Sequence, residues 1–436
     1  MSEWFLNLPA YLKVGVSFSG ILLLNRLGVT LGLAILLFSL VLSLWSGAGL
    51  AALSFVRETF TQPEDYLLPP VIALLLFFSE ALTKTGRIER TMQALKDVFK
   101  SKKILYIGLP ALIGLLPMPG GAIFSAPLVA SVDREEESPA AEKAAINYWF
   151  RHIWEYWWPI YPGVFLAVKY SGLPLAVFFL IQIPYTLAAL LGGYLFILRK
   201  VKEVIPEKDD PAAKFSAQGL LAALLPIMIL IITAVFGSFL LPAKQMSNTV
   251  ASLISMLVGL IMAIIATFAG HWQGWKPAWG IFQRPNTWLM ILLVVSLQVF
   301  SAVLKCPLDA AGTTIVTAMR NEFVSAGIPI LIVIMMVPFI SGMVTGVAFG
   351  FVGTSFPIVF ALVGQQLPLG TAAATTALAY GCGYMGMMIS PMHICFVVSC
   401  SYFQIPLARA YPYLAKPTLL MLFTTFLISG LYYLLL

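Results

Sequence analysis

Residues 109–127 of this 436-residue chain read L-P-A-L-I-G-L-L-P-M-P-G-G-A-I-F-S-A-P. The stretch is apolar enough for a bilayer, but straight helices avoid its many glycines and prolines. A backbone broken in this way is tolerated at membrane depth only when it is buried in protein or lines a wet cavity. We therefore expect residues 104–131 to form a re-entrant hairpin, which enters and leaves the membrane on one side. The Gly- and Pro-rich stretch 328–363 predicts a second hairpin.

The composition of the whole chain indicates a membrane protein. Apolar residues make up 60% of it and charged residues 10%, whereas soluble domains are nearer to half apolar and a quarter charged. This balance excludes an ordinary cytosolic enzyme and a disordered chain. We therefore attribute the net charge of +7 to the positive residues that orient a protein in the membrane. The predicted partner is the lipid bilayer, and binding of nucleic acid is not expected. The sequence predicts an all-α, multi-pass protein of the cytoplasmic membrane.

Hydropathy predicts ten spans in addition to the two hairpins. They cover roughly residues 8–25, 27–48, 66–84, 143–170, 173–198, 217–241, 248–270, 286–305, 370–401 and 412–435. One set of loops holds 19 of the 26 Lys and Arg residues, and the rule that cytoplasmic loops are rich in these residues places this set inside. The asymmetry arises only if residues 104–131 turn back, so it supports the first hairpin.

The chain contains a weak internal repeat. The aligned pairs are Gly120 with Gly350, Ser125 with Ser355 and Pro127 with Pro357 at an offset of 230, and Tyr148 with Tyr380 and Pro159 with Pro391 at an offset of 232. The pairs follow the same order in both halves, which favours a duplication.

The repeat divides the chain into residues 1–198, a cytoplasmic linker at 199–214 and residues 215–436. Each half is expected to hold one hairpin and one broken helix, at about 143–170 in the first half and 370–401 in the second. The distribution of Lys and Arg predicts that the first hairpin opens to the cytoplasm and the second to the outside. The two repeats are therefore expected to be inverted. Inverted repeats with broken helices are typical of secondary transporters, with the binding site between the halves.

Most of the intramembrane charge lies in residues 147–163, N-Y-W-F-R-H-I-W-E-Y-W-W-P-I-Y-P-G. Arg151 and Glu155 are four residues apart and are expected to share a helix face, with His152 next to them. Charge at this depth costs at least ~2.5–3.5 kcal/mol per group, so function is the default interpretation. We predict that Arg151 and His152 bind substrate and that Glu155 couples transport to an ion. The alternative is a structural Arg–Glu pair between helices, which leaves His152 unexplained.

Two prolines and a second acid complete the predicted ion-coupling residues. Pro159 and Pro162 lack N–H groups and free backbone carbonyls, which are typical cation ligands in transporters. Glu80 lies about one turn from the cytoplasmic end of its span and is a candidate proton relay. An ion pair with Lys84, four residues on, explains Glu80 equally well.

Small polar residues complete the predicted substrate site. Hydroxyls and free amides at a hairpin tip can hold an anion. The predicted members are Gly120, Gly121 and Ser125 at the first tip, Gly353, Thr354 and Ser355 at the second, and Ser390 and His393 in the second broken helix. Tight helix packing is the alternative for the glycines between 342 and 353. For His393 the alternative is a hydrogen-bonded core residue.

The sequence predicts no metal site and no cofactor. No H-E-x-x-H, zinc-ligand spacing or Walker A motif is present. The four cysteines, Cys306, Cys382, Cys395 and Cys400, lie in or near apolar segments and are expected to be small buried hydrophobes. The charge run Asp133–Glu137 is expected to be solvated.

The motifs L-P-M-P-G-G-A at 116–122 and N-Y-W-F-R-H-I-W-E-Y-W-W-P-I-Y-P-G at 147–163 resemble those of the prokaryotic membrane family called domain of unknown function 401. The resemblance covers nearly the whole chain. That family is similar, more distantly, to the ion transporter superfamily, which includes gluconate, citrate and dicarboxylate carriers. This implies inverted repeats, re-entrant hairpins, a transport domain that moves as an elevator, and often a homodimer. Many such carriers are sodium-coupled through Ser-Asn-Thr at both tips, and neither tip here has that triplet.

The leading hypothesis is a secondary transporter of a small organic anion, such as a carboxylate, with protons favoured over sodium as the coupling ion. Symport of sodium with the anion is the first alternative. The second is an intramembrane enzyme that uses His152 and Glu155 on a lipid-borne substrate, although no nucleophile or metal set accompanies them. A channel would need a continuous polar pore, which so apolar a chain hardly supplies. We therefore expect a carrier and not an enzyme.

Overall fold

The computed structural model describes residues 8–86, 101–115, 121–133, 138–202, 217–241, 246–269, 275–309, 311–364 and 367–436. Within these ranges the chain is helical apart from turns and one isolated antiparallel bridge between Pro307 and Thr314. The all-α prediction is therefore confirmed for the described chain. Gly120, most of the expected linker and residues 134–137 of the charge run lie outside the described residues.

The helices of the first half are numbered in chain order. They are α1 (Ala10–Arg26), α2 (Leu31–Trp45), α3 (Gly49–Thr59), α4 (Pro63–Tyr66), α5 (Leu68–Lys84), α6 (Lys102–Gly114), α7 (Ala122–Val132), α8 (Ala140–Arg151), α9 (Pro162–Ser171) and α10 (Leu175–Phe196). Local sequence sets several of these ends. Proline stands in the first turn of α4, α5 and α9, where a missing N–H costs nothing. Ser101 caps α6 by accepting a hydrogen bond from the backbone N–H of Ile104.

The second half continues the numbering. Its helices are α11 (Ala217–Leu240), α12 (Asn248–Phe268), α13 (Trp275–Trp279), α14 (Pro285–Lys305), α15 (Ile315–Ser325), α16 (Ile330–Thr345), α17 (Ala348–Val363), α18 (Leu369–Met388), α19 (Ile394–Tyr402) and α20 (Leu407–Leu435). Thr314 and Thr317 form a reciprocal capping box at the start of α15. Gly346 ends α16 in the left-handed conformation, with φ of 62°, which glycine adopts without strain.

Five of the described helices are long and apolar enough to cross a bilayer. They are Pro63–Lys84, Leu175–Phe196, Asn248–Phe268, Thr287–Lys305 and Leu407–Leu435. Shorter apolar helices include α2, α7, α16 and α17. By helix length and composition, the chain is a multi-pass membrane protein.

The same order of elements occurs twice along the chain. In each half, two short helices pack against each other as a hairpin, followed by a broken helix and then by a long helix. The first series is α6 and α7, α8 and α9, then α10; the second is α16 and α17, α18 and α19, then α20. Helix pairs and interrupted helices thus lie in the stretches rich in glycine and proline, with breaks at 152–161 and 389–393, and re-entry of the hairpins into the membrane stays a prediction.

These repeated elements form an inner group, α6–α10 with α16–α20, in which the two halves interlock. Helix α9 packs on α17, α7 and α8 pack on α19, and α10 packs on α20. The remaining helices, α1–α5 and α11–α15, form an outer group, in which α2 packs on α14 and α5 on α12. A partly buried ion pair between Lys169 of α9 and Asp65 of α4 links the groups.

The start of the charge run is not solvated, contrary to our expectation. Asp133 is buried at the base of the first hairpin, where its carboxylate lies 2.7 Å from Nζ of Lys102 and 3.3 Å from Nζ of Lys143. Its second oxygen also accepts the backbone N–H of Ser138. Burial raises the pKa of Asp133, but these lysines and the backbone donor outweigh burial, so the pKa lies below its ordinary value.

Candidate functional site

A cavity of about 80 Å³ lies between the two halves of the chain. Its polar wall consists of Arg151, His152, Glu155 and Tyr161 from the first half and His393 and Cys395 from the second. Its apolar wall comes from the start of α9, the turn between α16 and α17, and single residues of α14, α18 and α19. The two breaks and the turn between α16 and α17 thus meet at one place.

The break after α8 is held in shape by large side chains that reach the end of α6. The indole N–H groups of Trp154 and Trp158 donate to the carbonyl oxygens of Ala111 and Leu115, each at 2.9 Å. The Tyr161 hydroxyl donates to the carbonyl oxygen of Gly114 at 2.5 Å. The last carbonyls of a helix have no partner within it, so these three donors cap α6 and fix the break against the first hairpin.

Proline does free carbonyls from helix hydrogen bonds in this break, and each of them accepts one hydrogen bond from another group of the protein. Pro159 removes the donor that the carbonyl of Glu155 would use in a helix, and the Tyr380 hydroxyl donates to that oxygen at 2.6 Å. Pro162 does the same for Trp158, whose carbonyl accepts the backbone N–H of Tyr161 at 3.1 Å. Each freed carbonyl therefore accepts one hydrogen bond and keeps a second lone pair, so the predicted role of the two prolines as providers of cation ligands stays a prediction.

Arg151 is the last residue of α8 and is only 2% exposed. Residues 152–157 form turns rather than helix, so Arg151 and Glu155 do not share a helix face as the spacing predicted. Nη1 of Arg151 donates to Sγ of Cys395 at 3.3 Å. The Glu155 carboxylate lies 3.8 Å from Nε2 of His152. The site therefore keeps a buried cation and a buried acid in one cavity, on different backbone geometry from that expected.

The two histidines of the cavity stand edge to face, with ring centres 4.7 Å apart. Nδ1 of His152 lies 2.6 Å from the carbonyl oxygen of Tyr148. Nδ1 of His393 lies 3.0 Å from the Tyr148 hydroxyl. His393 is thus a hydrogen-bonded core residue, which was the alternative considered for it, and it also lines the cavity.

The predicted hydroxyl residues do not line the cavity. The tip of the second hairpin lies at Gly346 and Val347, earlier in the chain than predicted, so Gly353, Thr354 and Ser355 are inside α17. Their hydroxyls bond to the carbonyls one turn back. Gly353 packs so closely on the Leu297 side chain that an added Cβ would lie 2.2 Å from it. Packing therefore accounts for this part of the glycine stripe.

The remaining predicted residues serve the helices around them. Ser125 lies within α7 and bonds to the carbonyl of Ala122, and Gly121 is the residue just before that helix. Ser390 donates to the carbonyl oxygen of Met343 at 2.6 Å. Both carboxylate oxygens of Glu80 accept hydrogen bonds from Arg284, at 2.7 and 3.2 Å, and Nζ of Lys84 lies 3.8 Å away. The ion-pair alternative for Glu80 matches this geometry.

Sequence reasoning missed the cysteine and the tyrosines of the site. Cys395 lies in the cavity wall, and the pattern His393-Ile394-Cys395 was the signal available for it. Tyr384 donates to the carbonyl oxygen of His152 at 2.6 Å, and Tyr148 donates to that of Met388 at 3.0 Å. No local pattern marks a tyrosine that serves a carbonyl more than 200 residues away.

Comparison with known proteins places this geometry in a family and a fold. A search of curated protein sequences gives no match. The crystal structure of the YdaH transporter from Alcanivorax borkumensis, described as revealing an unusual topology, matches with a TM-score of 0.60 and 12% identity, over 94% of this chain and 98% of that one. The two proteins therefore share a fold. The family described as "Protein of unknown function (DUF401)" matches residues 15–435, and the chain therefore belongs to the DUF401 family.

Proposed function

We propose that this protein is a secondary transporter of a small organic anion, of the carboxylate class, in the cytoplasmic membrane. The observation that carries the proposal is Arg151, a nearly fully buried guanidinium in the wall of a cavity between the two halves. A charge in such a place is expensive and is usually functional. The shared fold with the YdaH transporter supports transport as the activity.

The chemistry of Arg151 favours an anion as the substrate. A guanidinium stays protonated even when buried, and its planar set of five N–H donors matches a carboxylate in two-point geometry. Nη1 contacts Cys395, whose thiol is a weak acceptor that a carboxylate oxygen can displace. The apolar wall of the cavity suits a compact anion with a short hydrocarbon body.

The repeated order of elements supports inverted repeats and an elevator mechanism. Tyr148 donates to the carbonyl of Met388, and Tyr380 donates to that of Glu155. At the repeat offset of 232, Tyr148 corresponds to Tyr380, and Met388 corresponds to Tyr156, one residue from Glu155. Such reciprocal contacts are what a two-fold relation between halves produces. The inner group would be the moving domain and the outer group the scaffold, which in a homodimer would also hold the subunit contact.

Glu155 and His152 provide the coupling in this proposal. They lie 3.8 Å apart beside Arg151 and are both buried. With Glu155 ionised, its charge offsets that of Arg151 in the empty carrier. A substrate carboxylate competes with Glu155 for the guanidinium, so protonation of Glu155 favours loading. Proton symport follows from this competition, because the proton taken up by Glu155 accompanies the anion that Arg151 binds.

An intramembrane enzyme is the second candidate from the sequence. The proximity of His152 and Glu155 suits acid–base work. Cys395 would supply the nucleophile that the sequence reasoning found missing, since it lies in the same cavity. The repeated hairpins favour the carrier, because hydrolysis of a lipid-borne substrate does not need them.

Uptake into proteoliposomes tests the carrier directly. We expect inward transport of one or more radiolabelled carboxylates that is driven by an inward proton gradient and is indifferent to a sodium gradient at clamped pH. Arg151→Lys keeps the charge but loses the planar fork, so substrate affinity should fall at least about 30-fold, or ~2 kcal/mol. Glu155→Gln should still bind substrate while losing its pH dependence and uphill accumulation.

Arg284→Lys is the matched control, since Arg284 pairs with Glu80 outside the cavity. It should transport as the wild type does. Unchanged pH-dependent accumulation by both cavity variants would contradict the proposed site. Uptake driven by a sodium gradient alone would be consistent with a carrier but would show that sodium, not the proton, is the coupling ion.

A further inference from the structure

Two imidazoles and a thiol converge in the cavity. His152, His393 and Cys395 each offer one ligand atom, and these atoms lie within 4.8 Å of one another. All three side chains are at least nine-tenths buried, with exposures of 1%, 4% and 5%. Nitrogen and sulfur donors gathered in this way are the set that zinc and similar transition metals prefer.

The hydrogen bonds of His152 leave one nitrogen available as a ligand. Nδ1 lies 2.6 Å from the carbonyl oxygen of Tyr148. A carbonyl can only accept, so Nδ1 carries the proton and Nε2 carries the lone pair. Nε2 is buried, and its hydrogen-bonding neighbour is the Cys395 thiol rather than a nitrogen or oxygen donor. A metal ion that binds both Nε2 and the Cys395 sulfur would replace this weak S–H donor.

His393 is fixed in the same tautomer. The single hydroxyl proton of Tyr148 is donated to the carbonyl oxygen of Met388 at 3.0 Å. The Tyr148 oxygen therefore accepts a hydrogen bond from the N–H group at Nδ1 of His393, also at 3.0 Å. Nε2 of His393 then carries no proton and keeps its lone pair. Metal-binding histidines commonly hold their second nitrogen to a carbonyl or another oxygen in this way. Tyr148 serves both histidines.

Arg151 donates a hydrogen bond to the third proposed ligand, the sulfur of Cys395. Its Nη1–H group donates to Sγ of Cys395 at 3.3 Å. A hydrogen bond from a cation favours the thiolate form of cysteine, which is the form that binds metal. Donors of this kind are a normal second layer around a metal–thiolate bond.

We propose that His152, His393 and Cys395 bind one zinc-class transition-metal ion through two nitrogens and one sulfur. Bond lengths near 2.0–2.3 Å put the ligand atoms of a tetrahedral site roughly 3.4–3.6 Å apart, so the side chains must close in by about 1 Å on binding. The Glu155 carboxylate lies 3.8 Å from Nε2 of His152 and is placed to take the fourth position. The carboxylate group of a bound anion could take that position instead. Calcium and magnesium are disfavoured because they require oxygen ligands.

Binding is a displacement without redox change. The S–H bond of Cys395 breaks as the S–metal bond forms, and the proton leaves to the solvent. The histidines bind neutral through their lone pairs, so one proton is released for each divalent ion bound if Glu155 is already ionised.

Cobalt(II) is the probe that tests the site, because thiolate coordination gives it a charge-transfer band and tetrahedral coordination gives it intense visible bands. The full-length protein, purified in detergent with a phosphine reductant and freed of metal by a chelator, is titrated with Co²⁺ alone. We expect both bands to saturate at one equivalent and to be abolished by Zn²⁺. Cys395→Ser should lose the charge-transfer band. His152→Gln should weaken Co²⁺ binding by more than the ~10–100-fold that loss of a second-layer group costs.

Cys400→Ser is the matched control, since Cys400 is also buried on α19 but is not one of the three ligands. It should keep the full spectrum. If Cys395→Ser does not fold, two other measurements test the site. His152→Gln should bind Co²⁺ more weakly, and Zn²⁺ should protect Cys395 of the wild type from an alkylating reagent. Absence of the bands, their persistence in Cys395→Ser, or their loss in Cys400→Ser would overturn the metal site. Anion uptake plays no part in this measurement, so the site and the proposed transport can fail separately.

Discussion

The breaks of the two broken helices serve the same structural purpose with different side chains. Each caps the first helix of its own hairpin: the first break through Trp154, Trp158 and Tyr161 to α6, the second through Ser390 to α16. The first break has ten residues, between α8 and α9, and the second has five, between α18 and α19. A longer break exposes more carbonyls to satisfy, and large aromatic donors meet that need.

The two breaks also differ in the charged groups that they carry. The first break carries His152 and Glu155 directly after Arg151, whereas the second contributes His393 and is otherwise uncharged. Close packing of glycines is common to both halves. An added Cβ would lie 1.8 Å from the backbone oxygen of Arg151 at Gly114 and 2.0 Å from the carbonyl oxygen of Gly383 at Gly342. The halves thus differ in the charged groups that they contribute, not in how tightly they pack.

The largest expected effect concerns two glycines that correspond at the offset of 232, Gly114 and Gly346. A Cβ at Gly114 would lie 1.8 Å from the backbone oxygen of Arg151, which cannot move aside. Gly114→Ala should therefore destabilise the protein by about 3 kcal/mol or more. At Gly346, which has a positive φ, an added Cβ would lie 2.9 Å from the backbone nitrogen of His393. Gly346→Ala should therefore lower the free energy of unfolding by about 1–3 kcal/mol.

Thermal unfolding in detergent measures both substitutions. Gly108→Ala, in the same helix as Gly114 but with nothing within 4 Å of the added carbon, is the control and should change stability by no more than about 1 kcal/mol. A Gly114→Ala protein that melts with the wild type would show that the first hairpin and the first break are not locked together.

Tyrosine hydroxyls provide a second way to compare the breaks. Tyr384 donates to the carbonyl of His152 in the first break and is fully buried, while Tyr411 donates to that of Ile389 in the second and is only partly buried. Tyr384→Phe should cost about 1–3 kcal/mol, because it leaves a buried carbonyl without its donor. Tyr411→Phe should cost less, since water can replace the hydroxyl.

Tyr433→Phe, at an exposed position of α20, controls for the loss of a hydroxyl in itself and should leave the melting temperature unchanged. Equal destabilisation by Tyr384→Phe and Tyr411→Phe would mean that the two breaks depend on their tyrosines alike.

The smallest effect is a pH dependence confined to the first hairpin. Asp133 is clamped by Lys102 and Lys143, whereas the offset of 230 puts Val363 at the corresponding place in the second hairpin. The pKa of Asp133 is lower in the folded protein than in the unfolded chain. Its contribution to stability is therefore complete above the unfolded pKa of ~3.9 and disappears as the pH falls through the folded pKa.

We expect the melting temperature of the wild type to fall more steeply with acidification below pH ~4 than that of Asp133→Asn. Other carboxylates titrate in both proteins, so the difference between the two curves isolates Asp133. Parallel curves would show that the clamp does not stabilise the first hairpin.

Local features of the sequence were enough to predict much of this architecture. Glycine and proline act on their own residue and its helix neighbours, so they marked places where helices end, including the break at Pro159. They did not locate the second tip, because the glycines before Thr354 serve packing within α17, and the turn lies instead at Gly346. The buried charge of Arg151 was visible for the same local reason, since an arginine in an apolar run stands out.

The sequence by itself therefore determined that the chain is a helical membrane protein, since hydropathy and backbone preference are properties of short segments. Only the tertiary structure decided which groups meet. Tyr148 joins His152 to His393, and Arg151 meets Cys395 across 244 positions of sequence. Such contacts depend on how the halves interlock, and no spacing along the chain encodes a distance through the packed core.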